Sequence, residues 1–214
     1  MNRIVLQNML PVVFSEIQDL HSDIWNKEVV FEKKKSYLIK AVSGTGKSSL
    51  CSYIYGYRAD FSGSLLFDQA ELRKLNPKNW DAIRNRELSL LFQELRLFPE
   101  LTAWENVCLK NQLTDFKTHA EIKELFEQLG VWEQKNQLIG KMSWGQQQRV
   151  AIIRSLCQPF DFILLDEPVS HLDDENARII ARLIEQEITC REAGLIVTSI
   201  GKDLPMEYTQ TWML

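Results

Sequence analysis

The chain has 214 residues, 45% hydrophobic and 25% charged, with a formal net charge of −4. That length carries one large domain with a substantial core, and the acidic balance argues against nucleic acid as a partner. No apolar run approaches the roughly 20 residues that span a bilayer, and residues 1–10 lack the pattern of a signal peptide, so a cytosolic setting is expected.

In chain order, short strands are predicted over residues 4–6, 12–14 and 28–31. Residues 37–42 form an apolar run between a charged turn and a glycine-containing loop, which reads as a buried strand. A helix should follow from 47 to about 55, where Gly56 can adopt the left-handed stop. Residues 88–92 read as another buried strand. From about 94 to 158 the chain turns mostly helical. Residues 121–129 place Ile122, Leu125, Phe126 and Leu129 on one face, and 145–157 continue to Pro159, which forces an exit. Strands return at 162–165 and 195–198, with a helix over 174–189 between them, and a last strand at 211–214. Apolar strands alternating with helices predict a largely parallel sheet covered on both faces. One domain over 1–214 is expected, with its core at about 1–93 and 159–214 and a helical subdomain at about 94–158. Cys51, Cys108, Cys157 and Cys190 form no CxxC pair, so reduced thiols and no structural zinc are expected.

The segment from Ala41 and Val42 through Ser43, Gly44, Thr45, Gly46, Lys47 and Ser48 lies between a predicted strand and a predicted helix. There a glycine-rich loop can wrap phosphates: Gly44 and Gly46 allow close backbone approach, and the helix start favours an anion. Lys47 can reach the β- and γ-phosphates, Ser48 can ligate Mg²⁺, and Ser49 can bond the α-phosphate. Ala41 stands where the usual pattern opens with glycine, so a positive φ there would cost about 1 kcal/mol or more.

Residues 162–165 lead into Asp166 and Glu167. Asp166 is placed to hold the Mg²⁺ shell through water, and Glu167 to polarise an attacking water as general base. An apolar strand ending in two acids is weak evidence alone and gains its force from the phosphate loop before it.

The discriminating segment is Met142-Ser143-Trp144-Gly145-Gln146-Gln147-Gln148-Arg149, followed by Val150-Ala151-Ile152. It resembles the LSGGQ signature and following helix of the ABC (ATP-binding cassette) ATPases, and the resemblance covers nearly the whole chain. It implies an α/β fold: a P-loop NTPase core with a mostly parallel sheet, an N-terminal antiparallel β subdomain and an inserted helical subdomain. It further implies that Ser143, the Gly145 amide and Gln146 contact ATP held by a second protomer in a head-to-tail dimer. That dimer would be a homodimer or a heterodimer with another cassette. Gln93 matches the glutamine that approaches Mg²⁺ and the attacking water. Ser170-His171-Leu172-Asp173 resembles the D-loop, through which Asp173 would couple the two sites. Residues 98–107 resemble the lipoprotein-release, macrolide-export and cell-division branch.

The family usually places a histidine where this chain has Ser199, which can donate a hydrogen bond but carries no charge. Slow or partner-activated hydrolysis is therefore expected. Trp144 replaces a signature glycine and has two readings, a contact at the dimer seam or a cover for the subdomain surface. Among the remaining histidines, His171 reads as a partly exposed loop residue and His119 as a surface residue near a helix start. Phe14 is the choice for the aromatic that stacks on the base, ahead of Tyr37, which begins the buried strand, with core packing of Phe14 as the alternative.

Taken together, the resemblance implies an ATPase subunit that binds ATP and Mg²⁺, dimerises on ATP and drives a separate transmembrane permease. The permease would hold it on the inner face of the cell membrane, docking near Gln93 where Phe98, Leu101 and Trp104 offer apolar surface. Two alternatives stand beside it: a nucleotide-controlled clamp with little hydrolysis, and a soluble ABC ATPase outside transport.

Overall fold

A computed structural model of the chain describes residues 1–17, 20–42 and 44–214. Its strands are β1 (Arg3–Pro11), β2 (Glu28–Glu32), β3 (Ser36–Lys40), β4 (Phe61–Phe67), β5 (Ala70–Glu71), β6 (Leu88–Leu91), β7 (Phe162–Asp166), β8 (Gly194–Ser199) and β9 (Gln210–Met213). Its α-helices are α1 (Lys47–Ile54), α2 (Pro77–Arg86), α3 (Ala103–Asn111), α4 (His119–Gln128), α5 (Trp144–Leu156) and α6 (Asp174–Arg191).

β2, β1, β4 and β5 lie side by side in an antiparallel sheet, and β6, β7, β8, β3 and β9 form a second sheet in that order. Every neighbouring pair in the second sheet is parallel. β7 and β8 sit at its centre with every residue buried, which is why they read as unbroken apolar runs rather than alternating ones. β1 begins as the pattern predicts, but it runs on to Pro11 with a register break between Gln7 and Leu10.

Residues 12–14, expected as a strand, form a 3₁₀ turn instead. Val12 and Val13 are exposed and find no sheet face to bury against. The turn is closed by the Ser15 N–H donating to the Val12 carbonyl at 3.1 Å.

Two apolar clusters hold the molecule. One packs α1 and α2 between the antiparallel sheet and one face of the parallel sheet, around Phe31, Tyr53, Leu65 and Phe162. The other packs α3 to α6 on the opposite face, around Phe126, Val150, Ile163 and Ile184. The helices of residues 103–156 start from side-chain caps. Thr102, Thr118 and Ser143 each accept from the backbone three residues on and receive a side chain in return, which satisfies otherwise orphaned donors.

Trp104 belongs to this second cluster. It is half-buried, with ring centroids 5.7 Å from Phe126 and 5.9 Å from Trp132, while Phe98 stays exposed. The expected surface of Phe98, Leu101 and Trp104 is therefore divided, because the indole is spent on packing. His119 lies exposed at the start of α4, edge-on to that indole.

Replacing Phe126, fully buried among these aromatics, with alanine should lower stability by about 3–5 kcal/mol. Urea unfolding followed by tryptophan emission measures it, and a loss below about 1 kcal/mol would contradict the packing described.

Candidate functional site

β3, β6, β7 and β8 all end at one edge of the parallel sheet, where open α/β sheets hold their ligands. The loop after β3 opens with Ala41, buried and with a negative φ, whose N–H donates to the Ser199 carbonyl at 3.0 Å. Ala41 follows the last residue of β3 without entering the left-handed region, so the backbone that would penalise alanine is not required. Ser43 lies outside the described residues.

Gly46, at φ 94°, caps α1 in the left-handed region, and a Cβ there would sit 2.8 Å from Phe14 Cε2. Thr45 is tied down on both sides. Its hydroxyl donates to the Val42 carbonyl at 2.8 Å, and its carbonyl accepts from the Trp25 indole at 3.1 Å. α1 thus begins, with the free N–H groups that a helix start carries, beside a cavity of about 310 Å³. Phe14, Lys47, Ser48 and Gln93 line that cavity.

Lys47 is 6% exposed. Its ammonium donates to Glu167, to Asp166 Oδ1 at 3.1 Å and to Gln93 Oε1 at 3.5 Å. Burial pulls its pKa down, but the Glu167 hydrogen bond and the Asp166 charge outweigh that and hold it above the usual lysine value of 10.5. The Ser48 hydroxyl donates to Gln93 Oε1 at 3.3 Å, and the Thr198 hydroxyl to Asp166 Oδ1 at 2.5 Å. Ser49 Oγ accepts from Arg58 at 2.9 Å.

Glu167 has a left-handed φ of 52°, a costly conformation for a residue with a Cβ. Its N–H donates to the Thr198 carbonyl at 3.1 Å, and its carbonyl accepts from Gln148 Nε2 at 3.1 Å and Ser170 Oγ at 3.4 Å. Those bonds secure the turn that swings the carboxylate back onto Lys47. Neither Thr198 nor Gln148 was singled out from the sequence. The available signals were a hydroxyl ending an apolar strand and a glutamine at a helix position that should be buried.

Of the residues expected to act, Lys47, Ser48, Gln93, Asp166 and Glu167 are brought together, and Phe14, Gly44, Thr45 and Gly46 lie beside them. Ser199 is 2% exposed, and its hydroxyl has no hydrogen-bond partner among the described residues. It is the last residue of β8, next to Ile200 in the cavity lining. The loop beyond it is braced instead by Lys202, which donates to the Leu172 carbonyl at 2.6 Å and to Asp174 at 2.8 Å.

Ser143 and Gln146 cap α5 reciprocally, with Gln146 N–H to Ser143 Oγ at 3.3 Å and Ser143 N–H to Gln146 Oε1 at 2.9 Å. Among the described residues they do not bond to the Lys47 cluster, and Gln148 is the link. Gly145 lies against the D-loop-like segment, since a Cβ there would meet Leu172 Cδ2 at 3.2 Å. Asp173 caps α6, and its hydrogen bonds from the Asn176 backbone and side chain hold its carboxyl below the usual range.

Phosphate oxygens fit the N–H groups and the lysine. No group of three or more His, Cys, Asp or Glu suited to a metal occurs among the described residues. Ser48, Gln93 and Asp166 do offer the hard oxygen donors that suit Mg²⁺.

A model of the family described as ABC transporter matches residues 26–170. The uncharacterized ABC transporter ATP-binding protein YclH of Bacillus subtilis is 34% identical over 184 residues, covering 84% of this chain and 78% of YclH. The lipoprotein-releasing system ATP-binding protein LolD of Treponema denticola is 30% identical and covers 90% of each chain. Among solved structures, MJ0796, a bacterial ABC transporter cassette in a dimeric structure, superposes with a TM-score of 0.75 at 25% identity. That match covers 91% of this chain and 87% of that one.

Because the Lys47 pKa is raised on folding, its stabilising effect is complete below about 10.5 and is lost as pH rises through the higher folded value. Lys47→Met should therefore cost about 3–5 kcal/mol, by stranding two buried carboxylates. The gap from wild type should hold between about pH 7 and 9 and narrow above about 10.5. Urea unfolding of both proteins across that range gives the answer.

Proposed function

Because this chain belongs to the ABC transporter family as an ATP-binding subunit, we propose that the cavity at the ends of β3, β6, β7 and β8 is its ATP site and the place of hydrolysis. The observation that carries this reading is the Lys47 ammonium, held at once by Asp166 and Glu167 with Gln93 and Ser48 beside it. Phosphate oxygens compete for that ammonium and for the N–H groups of residues 44–49. When Lys47 turns to them, Glu167 is freed to accept a proton from the water that attacks the γ-phosphorus, as the β,γ-bridging P–O bond breaks. Ser48, Gln93 and Asp166 would hold Mg²⁺, which supplies neutralising charge at the phosphates. Phe14, at the mouth of the same cavity, is in reach of the base.

Completion of the site by a second protomer rests on Ser143, Gly145 and Gln146, whose N-terminal α5 position leaves them outside their own chain's cluster. The dimeric form of the similar cassette supports this arrangement, and Asp173 would couple the two sites. Docking of a permease is supported by a groove of about 370 Å³ beside Gln93, where Tyr57, Phe92, Phe98, Leu109 and Leu113 gather with Arg96. On this reading the subunit would sit at the inner face of the membrane through that partner. Substituting Leu109 and Leu113 (44% and 60% exposed) with glutamate should abolish co-purification with the permease while leaving ATP affinity within about twofold. Retained co-purification would move the docking surface elsewhere.

A second reading, an ATP-controlled clamp with little turnover, is favoured by the buried Ser199 hydroxyl. Loss of one charge-stabilising donor at this position slows hydrolysis by an amount corresponding to about 2.7–4 kcal/mol. The deciding assay is ATP turnover by wild type, Glu167→Gln and Ser199→His. Hydrolysis should fall about 10²–10⁴-fold in Glu167→Gln with ATP still bound, and rise in Ser199→His. Turnover persisting in Glu167→Gln would overturn the assignment of the base.

A further inference from the structure

Trp25 belongs to the apolar cluster around Phe31 and Tyr53 and is 3% exposed. Its one polar side-chain atom leaves that cluster, since the indole N–H donates to the Thr45 carbonyl at 3.1 Å. The turn that carries Trp25 is tied to both sheets. Asp23 bonds β9 twice, its N–H donating to the Met213 carbonyl at 2.8 Å and its carboxylate accepting from the Met213 N–H at 2.9 Å. The Asn26 N–H donates to the Met9 carbonyl of β1 at 2.9 Å. Ser22 Oγ accepts from the backbone N–H groups of Ile24 and Trp25, each at 3.0 Å. The indole is thus fixed by the fold, and the phosphate loop is fixed to the indole.

Across a trans peptide bond the carbonyl and the following N–H point in opposite directions. Holding the Thr45 carbonyl on Trp25 therefore turns the Gly46 N–H away from Trp25. Gly46 lines the cavity at the start of α1, and Trp25 does not. The bonds from Thr45 to the Val42 carbonyl precede this peptide and do not set its plane. Gly46, at φ 94°, has wide access to other backbone conformations, so the peptide could otherwise rotate. A rotated peptide would face the phosphates with a carbonyl oxygen and repel them. The rings add a flank, because a Cβ on Gly46 would sit 3.2 Å from Trp25 Cζ2. We propose that Trp25 is a positioning residue for the nucleotide, whose indole holds the Thr45–Gly46 peptide so that the Gly46 N–H meets the phosphates common to ATP and ADP. This rests on the ATP-site reading above and deepens it. A peptide ordered by the fold before the nucleotide arrives raises affinity by lowering the ordering cost of binding.

The test uses the full chain with benzothienylalanine in place of Trp25, in which sulfur replaces the indole N–H and the bicyclic shape is kept. Trp25→Phe is the second variant. Calorimetric titration gives the affinity for ATP and for ADP, and urea unfolding followed by circular dichroism gives stability. Both variants should bind the two nucleotides about three- to tenfold more weakly than the parent, by the same factor for ATP as for ADP. In the isotope-labelled parent, ADP should move the Gly46 amide proton downfield, as donation to an anion requires. The benzothienylalanine variant should lose most of that movement. Unchanged affinity in that variant would overturn the proposal even with Trp25→Phe weakened, because ring packing would then be the whole effect. Weakened ATP binding with ADP unaffected would also sink it, since the peptide would then act on the γ-phosphate alone. Failure of the parent to bind either nucleotide would overturn the ATP-site reading itself, and the proposal with it.

Discussion

Burying an ammonium between two carboxylates is tolerable only when the charges are close and the remaining polar atoms are bonded. Around Lys47 that condition is met by four groups from three places in the chain: Gln93 after β6, Asp166 and Glu167 at the end of β7, and Thr198 in β8. Parallel pairing makes this possible. The strands all point the same way, so their C-terminal ends meet at one edge, and Lys47 and Glu167, 120 positions apart, become neighbours. The two clusters on either face of the sheet fix that edge, and the polar groups of the site depend on it for their alignment.

A second layer of contacts joins the charge cluster to the rest of the surface. Gln148, from the helix that Ser143 caps, reaches the carbonyl of Glu167. Lys202 ties the loop after β8 to Leu172 and Asp174, and Lys40 pairs with Asp203 at 2.6 Å beside the phosphate loop. The turn of Glu167, the helix that begins at Trp144 and the loop after β8 are therefore joined to the segments around them by a handful of hydrogen bonds.

Much of this was legible because it is local. The phosphate loop, the strand ending in two acids and the apolar runs of β3, β7 and β8 are contiguous stretches whose pattern dictates their form. The helical insert was legible from its periodic apolar faces, and the antiparallel sheet followed from resemblance. What escaped was weakly patterned or depended on contacts distant in sequence. α2 buries only Ile83 and so shows no apolar stripe. β4 interrupts its hydrophobic residues with Ser62, Gly63 and Ser64. α3 carried a readable cap in Thr102 and Glu105, yet its apolar face is modest. The roles of Thr198 and Gln148 arise only when the sheet is assembled. Trp104 looked like surface because its neighbours Phe126 and Trp132 are more than 20 residues away in sequence. Val12 and Val13 have strand-forming side chains but no free sheet edge to join.

The left-handed backbone at Glu167 has an evolutionary consequence. Glycine would relieve a strain of about 1–2 kcal/mol there and remove a buried charge, and asparagine would suit the same φ better than glutamate. A lineage that had given up hydrolysis would meet no resistance to drifting toward either. Glu167 occupies this position against the folding preference of its own turn, so the stability of the turn is not what accounts for a carboxylate there.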